Sequence, residues 1–397
     1  MIAEKMVGYV KNSSLIRAMF EEGKRLADLY GAENVYDFSL GNPNVPAPKE
    51  VEDAVREILD GEDSVFVHGY MNNSGYGDVR QTIADSINKK FGTAFSENNI
   101  IMTVGAAGGL NVIFKTLLNP GDEVIAFAPY FGEYRSYTTN YDGVLVEISP
   151  NTETFQPNLV EFEQKITAKT KAVIVNTPNN PTGVIYSEET IKELAAIMEK
   201  KQKEFGTDIY LISDEPYREL VYTDVEVPYL TKYYANTIVG YSFSKTLSIP
   251  GERIGYLVIP NEVADSELVI GAANVANRIL GYVNAPSLFQ RVVAKCLDAK
   301  CDVEAYNRNR ELLYGELSKM GYECVLPEGA FYLFVKSPTE DETIFCNECK
   351  KHNILIVPGR SFACPGYVRI AYCVAYKTIE GALPGFKAVA ETFELRK

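Results

Sequence analysis

The sequence holds only two histidines, His68 and His352. This scarcity weakens any reading as a triad hydrolase. The stretch Gly240-Tyr241-Ser242-Phe243-Ser244 comes close to G-x-S-x-G but lacks its final glycine, and its base would have to be one of those two imidazoles. Cysteine is also sparse. Seven residues, all between Cys296 and Cys373, are too few for a disulfide scaffold. Cys346 and Cys349 form a lone C-x-x-C without two further ligands at zinc spacing, in a stretch that reads as helix, so a structural role is expected and no metal. Basic charge is in deficit, with 39 Lys and Arg against 53 Asp and Glu and a net charge of −14. Such a surface repels phosphate backbones and anionic membranes, so neither nucleic acid nor membrane is an expected partner. No apolar run approaches the about 18 residues that span a bilayer. The opening residues MIAEKMVGYVKNSS carry Glu4 early and no apolar signal core, so a cytoplasmic location is expected. A G-x-G-x-x-G fingerprint, internal repeats and low-complexity tracts are also missing.

What remains is an ordinary globular composition, 46% apolar and 23% charged over 397 residues, enough for two domains or one large one. The middle of the chain alternates short Val- and Ile-rich runs with amphipathic stretches. Strands are expected at Ile100–Val104, Glu123–Ala128, Val144–Ile148, Ala172–Asn176, Ile209–Ser213, Thr237–Tyr241 and Ile254–Ile259. Helices are expected at Leu110–Leu118, Leu159–Ile166 and Glu188–Lys203. The alternation predicts an α/β fold with a mostly parallel sheet flanked by helices on both faces. After Pro286 the pattern changes. One long helical stretch from Ser287 to about Met320 precedes short strands at Phe331–Val335, Ile354–Val357 and Tyr367–Ile370, which predicts a smaller α+β domain. The segment up to about Pro46 shows no sheet pattern and is expected to pack on that domain. The expected division is a large domain at 47–288, a small domain at 289–397 with 12–46, and an N-terminal arm at 1–11.

Ligands of open α/β sheets sit beyond the carboxyl ends of the strands, so the residues after each strand are informative. Gly105-Ala106-Ala107-Gly108-Gly109 follows the first run and opens a helix, where small residues let backbone N–H groups approach an anion. Later strands lead into Thr177-Pro178-Asn179-Asn180-Pro181-Thr182-Gly183, into Asp214-Glu215-Pro216-Tyr217, and into Ser242-Phe243-Ser244-Lys245 with Arg253 beyond. Singly these read as a turn, a cap and a solvated lysine. Together they place an amide, a carboxylate, a phenol, an amine, hydroxyls and a guanidinium on one sheet edge. That set suits an aromatic aldehyde carrying a phosphate and a pyridine nitrogen. The amine condenses with the aldehyde, the carboxylate keeps the ring nitrogen protonated, and the arginine and serines hold the phosphate.

Along nearly its whole length the sequence resembles the fold-type I aminotransferases of class I/II that use pyridoxal 5′-phosphate (PLP), most closely the aspartate-aminotransferase-like bacterial branch. The resemblance rests on Ser39-Leu40-Gly41-Asn42-Pro43, Tyr70 five positions before Gly75, and Asn119-Pro120-Gly121-Asp122-Glu123-Val124. It continues through Asn180-Pro181-Thr182-Gly183, Ser213-Asp214-Glu215 with Tyr217, Ser242-x-Ser244-Lys245, and Arg253 eight residues after that lysine. Pro327-x-Gly329-Ala330-Phe331-Tyr332, Val357-Pro358-Gly359 and Arg369-Ile370 complete it. It implies that Lys245 is the Schiff-base lysine and general base, Asp214 the partner of the pyridine nitrogen, and Asn180 and Tyr217 ligands of the ring hydroxyl. Phe131, two residues after Pro129, matches the aromatic that stacks on the ring. Gly105-Ala106-Ala107, Ser242, Ser244 and Arg253 match the phosphate cup. Tyr70 matches a tyrosine reaching the neighbouring subunit, which implies a homodimer. Arg369 matches the clamp for the substrate α-carboxylate, with Gly41 and Asn180 beside it.

The implied activity is transamination between an L-amino acid and a 2-oxo acid, with aspartate or a broad range of donors and 2-oxoglutarate as acceptor. A PLP-dependent C–S β-lyase of the same fold is the alternative, although the stretch from Asp214 to Arg218 looks more like the transaminases. Two positions depart from the pattern. Ala107 stands where some bacterial aspartate aminotransferases carry a lysine for the substrate side chain, and Arg278 lies near the place where others supply an arginine from the partner subunit.

Overall fold

The computed structural model describes residues 2–12 and 14–395. After a two-residue strand, β1 (Tyr36–Asp37), the chain builds one seven-stranded sheet. Its members are β2 (Ile100–Thr103), β3 (Glu123–Phe127), β4 (Val144–Ile148), β5 (Thr170–Asn176), β6 (Tyr210–Asp214), β7 (Thr237–Ser242) and β8 (Gly255–Val258). Their order is β2-β8-β7-β6-β5-β3-β4. β3 to β7 run parallel, and β8 is antiparallel to both of its neighbours. The Val- and Ile-rich runs become strands because successive side chains point to opposite faces and both faces are covered.

Alternate residues accordingly enter different cores. Ile100, Met102, Val239 and Val258 pack with Val51, Ile58, Ile83 and Val292 from helices Lys49–Gly61, Gly77–Phe91 and Ser287–Lys295. Ile101, Val124, Ile174, Ile212 and Leu257 pack with Leu110, Phe114, Val269 and Ala273 from helices Gly105–Leu117 and Ser266–Ile279. Helix Glu188–Phe205 shows the local logic. The Ser187 side chain accepts from Thr190 N at its start, and Gly206 closes it at φ 66°, a left-handed turn that glycine adopts freely.

The second body holds β9 (Tyr332–Lys336), β10 (Ile354–Leu355), β11 (Val357–Pro358) and β12 (Tyr367–Ala371). β12 pairs antiparallel with β9 and β11, while β10 pairs parallel with β1. Helices Val303–Lys319, Glu342–Lys351 and Tyr376–Thr392 pack around Phe38, Phe331, Phe345, Cys349 and Phe386. Cys346 and Cys349 are therefore core side chains of one helix, and burial pushes the Cys346 thiol up to about 12.

Three expectations differ from what is observed. The stretch from Ser287 to Met320 is two helices, Ser287–Lys295 and Val303–Lys319, packed in different cores. Between them Cys301 N donates to Thr246 O at 2.8 Å, and the Asp302 side chain caps Ala305 N. The run Ile354–Val357 is two strands, because Leu355 pairs with Asp37 and Val357 with Arg369 in another sheet. The N-terminal segment does contain a strand, β1, which at two residues is too short to show a period.

Candidate active site

The parallel register of β5, β6 and β7 sets Asn176 beside Asp214 and Asp214 beside Gly240 at the carboxyl edge. There a cavity of about 1520 Å³ opens. It is lined by Gly41, Ala106, Ala107, Phe131, Asn180, Asp214, Tyr217, Ser242, Ser244, Lys245, Arg253 and Arg369. Strand-end residues far apart in sequence thus share one space.

Asp214 is buried at the end of β6. The Tyr134 hydroxyl donates to its Oδ2 at 2.5 Å, and Oδ1 has no hydrogen-bond partner among the described residues. Burial raises the carboxyl to about 7, the Tyr134 hydrogen bond opposes that rise, and the Glu215 charge adds to it. Glu215 is itself engaged, receiving Ser213 Oγ at 2.7 Å and Arg218 Nη2 at 2.7 Å. A buried carboxylate oxygen without a donor is costly unless a cation or N–H arrives.

Lys245 sits just beyond β7 in the short helix Phe243–Thr246, where the Ser242 hydroxyl accepts from Ser244 N at 3.2 Å. Burial lowers the Lys245 ammonium to about 8, with Arg253 and Arg369 pushing the same way and Cys373 opposing. Its Nζ donates to Gly41 O at 2.7 Å. The two preceding carbonyls are also held, Ser39 O by Arg369 Nη2 at 2.6 Å and Leu40 O by Cys373 Sγ at 3.7 Å. Three consecutive carbonyls thus tie the segment to two residues of the cavity, Lys245 and Arg369, and to Cys373. Glycine is required at 41, because a Cβ there would meet the Tyr332 hydroxyl at 2.1 Å, and that hydroxyl is hydrogen-bonded to Tyr217 at 2.9 Å.

The anion-binding end is built from backbone and guanidinium. Helix Gly105–Leu117 starts at the cavity, so its unpaired N–H groups and dipole favour negative charge there. Gly105 has φ +67°, and a Cβ on it would lie 2.7 Å from Arg253 Nη2. Arg253 Nη1 donates to Pro250 O at 3.0 Å. Ser242 Oγ and Ser244 Oγ lie 2.9 Å apart beside it.

Arg369 extends from β12. Its Nη1 donates to Asn180 Oδ1 at 3.1 Å, while Nε has no partner among the described residues. Its guanidinium carbon lies 4.6 Å from the Tyr332 ring centre and 4.7 Å from that of Phe362, two faces that fix its plane. Asn180 is oriented in turn, its N donating to Asn176 Oδ1 at 2.8 Å.

Two candidates stand apart from this cavity. Tyr70 is 92% exposed, and Arg278 lies exposed on helix Ser266–Ile279. Tyr134, Asn176, Tyr332 and Phe362 belong to the site although sequence reasoning gave them no role. Tyr134 follows Phe131 by three residues, and that closeness was its only signal.

The donor set fits PLP. The partnerless Asp214 Oδ1 suits a protonated pyridine, the Gly105–Arg253 end suits a phosphate, and Lys245 supplies an amine. The comparisons agree. The profile of the family "Aminotransferase class I and II" matches residues 33–384. The aspartate aminotransferase of Thermotoga maritima is 31% identical over 372 residues, 92% of this chain and 94% of that protein. The probable aspartate/prephenate aminotransferase of Thermus aquaticus is 31% identical over 356 residues, covering 88% and 89%. A crystal structure of an amino transferase from Eubacterium rectale superposes with a TM-score of 0.96 at 47% identity, covering 99% of both chains. A mostly parallel sheet with this cavity at its edge and a match over most of the sequence lead to one conclusion: the chain belongs to the class I and II aminotransferases, enzymes of PLP-dependent transamination.

Proposed function

We propose that this protein transfers the amino group of a broad range of L-amino acids, aspartate among them, to 2-oxoglutarate, with Lys245, Asp214 and Tyr217 as its catalytic residues. The observation that carries this reading is a single cavity combining the amine of Lys245, the partnerless Oδ1 of Asp214 and the ring-clamped guanidinium of Arg369. PLP, when bound, supplies an aldehyde that condenses with amines and a protonated ring that draws electrons. Asp214 Oδ1 would accept from the ring nitrogen, and Asn180 and Tyr217 would hydrogen-bond the ring hydroxylate. Phe131 would offer an aromatic face. Gly105, Ala106, Ala107, Ser242, Ser244 and Arg253 would hold the phosphate. Arg369 binds the substrate α-carboxylate, with Gly41 and Asn180 beside it. Lys245 Nζ takes the proton from the substrate α-carbon, a task suited to an amine that titrates near 8. The test is stoichiometry. With L-aspartate and 2-oxoglutarate, glutamate should appear one for one with the new 2-oxo acid. Pyruvate and ammonia from a sulfur-substituted amino acid, with no glutamate, would establish the β-lyase instead.

Tyr134 should tune Asp214. Its hydrogen bond favours the charged carboxylate, so Tyr134→Phe should raise the Asp214 pKa further. The acid limb of the kcat/KM profile should move to higher pH, with about a tenfold loss near neutrality. An unmoved acid limb would remove Tyr134 from this role.

Tyr70 and the assembly form the second part of the reading. Tyr70 follows helix Ser64–His68, whose Val65 is 81% exposed and whose Phe66 is also exposed, an apolar surface suited to burial against a second copy. In the proposed homodimer Tyr70 completes the neighbour's phosphate site. When Lys245→Ala and Tyr70→Phe chains are mixed and refolded, hybrids then hold one site free of both changes, and activity should recover to roughly a quarter of wild type. No recovery above the Tyr70→Phe level would place Tyr70 in its own subunit's site. The main sheet with its helices corresponds to a large domain, extended from the expected 47–288 through helix Ser287–Lys295, which shares its core. The rest of 289–397 with 12–46 forms the small domain and 1–11 the arm. Free thiols at all seven cysteines support a cytoplasmic location.

A further inference from the structure

The N-terminal helix Glu4–Asn12 lies against helix Glu133–Asn140. Lys5 Nζ donates to Asn140 O at 2.9 Å and pairs with Asp142 Oδ1 at 2.9 Å, placing an ammonium where the last helical carbonyls need donors. The Tyr9 hydroxyl shares a hydrogen bond with Thr139 Oγ1 at 2.9 Å. These ties bring Met6 and Tyr9 to the wall of the cavity that holds Lys245. The same cavity carries the rings of Tyr130, Phe131, Tyr137 and Phe362. Its other charged wall residues are already engaged or of the wrong sign for an acidic side chain. Arg135 pairs with Glu147 at 2.6 Å, Arg360 pairs with Asp341 at 2.6 Å and Glu342 at 2.8 Å, and Glu133 adds a carboxylate. Ala107, at the cup, adds only a methyl group.

We propose that Met6 and Tyr9 form an outer wall against which a large uncharged substrate side chain packs, so that the N-terminal helix selects donors by size. The proposal rests on the reading of Lys245 and Arg369 as the substrate site. The adaptable thioether of Met6 and the ring of Tyr9 offer apolar contact without a fixed charge. A donor that ends at its β-carbon gains nothing from this wall. A phenylalanine or leucine side chain loses its outer contact when the wall is cut back.

The test uses the PLP-loaded full chain and the double variant Met6→Ala, Tyr9→Ala. The quantity is kcat/KM for the donor, which in a ping-pong scheme does not depend on the acceptor. L-Phenylalanine and L-leucine should each lose about tenfold or more, mainly through KM, as hydrophobic pocket contacts of this size do. L-Alanine and L-aspartate should stay within about twofold. Equal losses for all four donors, or none, would overturn the proposal. An unmodified protein that transaminates none of the four would refute the proposed broad donor range instead, so the two failures are distinct. A second readout does not involve turnover. Binding of 3-phenylpropionate should slow amide hydrogen exchange in residues 4–12 more than binding of propionate does. Equal exchange with both saturating ligands would also overturn it.

Discussion

Lys245→Ala is expected to reduce kcat by at least about a thousandfold while leaving the fold intact. The side chain has two proposed tasks, as the amine that meets the cofactor aldehyde and as the base at the substrate α-carbon. A positioned base alone contributes about 10²–10⁴-fold. Only a neutral amine can do either, and burial lowers Lys245 to about 8, so a substantial neutral fraction exists at mildly alkaline pH. The same burial makes the charged lysine a local cost in the cofactor-free protein. Its depressed pKa disfavours the native state below about pH 8, and that cost fades as pH rises toward the unfolded value. Removing the amine therefore relieves an unfavourable buried charge while losing one hydrogen bond to Gly41 O, two effects of opposite sign. The variant should melt within a few degrees of its parent at pH 7 when both lack cofactor. In the parent, borohydride reduction of the yellow holoprotein followed by peptide mapping should place the pyridoxyl group on Lys245. A label on another lysine, or a variant that keeps more than a tenth of its activity, would end this assignment.

The candidate site's sheet edge was legible because each strand announces its own end. The runs closing at Asn176, Asp214 and Ser242 are short and largely apolar, and each yields at once to residues with chemistry to offer. What the sequence hides is acceptors and distance. Ser39, Leu40 and Gly41 act through carbonyl oxygens, which every residue owns, so no side-chain pattern marks their bridging of Arg369, Cys373 and Lys245. Tyr134 lies 80 residues before its carboxylate partner, in a helix, EYRSYTTN, that reads as polar surface. Lys5 and Asp142 are 137 residues apart, and nothing local to either announces the other. The break after helix Ser287–Lys295 lacks a local marker for a different reason. The stretch Cys296-Leu297-Asp298-Ala299-Lys300-Cys301-Asp302 contains neither glycine nor proline, and the stop comes from a tertiary hydrogen bond and an aspartate cap.

Arg369→Leu should lower kcat/KM at least about a hundredfold for every amino acid donor while PLP stays bound. The guanidinium is already planar, oriented and buried: Tyr332 and Phe362 hold its faces, Asn180 accepts from Nη1 at 3.1 Å, and Ser39 O accepts from Nη2 at 2.6 Å. An arriving carboxylate replaces neutral acceptors with a charged one, and the paired donors of the fork match its two oxygens. Each hydrogen bond to a charged group contributes roughly 1.5–3 kcal/mol, so losing the fork costs several kcal/mol in transition-state binding. The loss should be uniform across donors, because all share the α-carboxylate. Arg369→Lys should recover only part of it, since an ammonium cannot present two parallel donors in one plane. Arg278→Ala supplies the contrast. If this exposed arginine meets a side-chain carboxylate across the proposed dimer interface, aspartate and glutamate should weaken while alanine and phenylalanine hold. Equal rates for all four would leave Arg278 as a solvated helix residue, and the chemistry of side-chain recognition would pass to the aromatic wall. A donor-selective loss in Arg369→Leu, or retention of more than a tenth of the activity, would take the α-carboxylate away from Arg369.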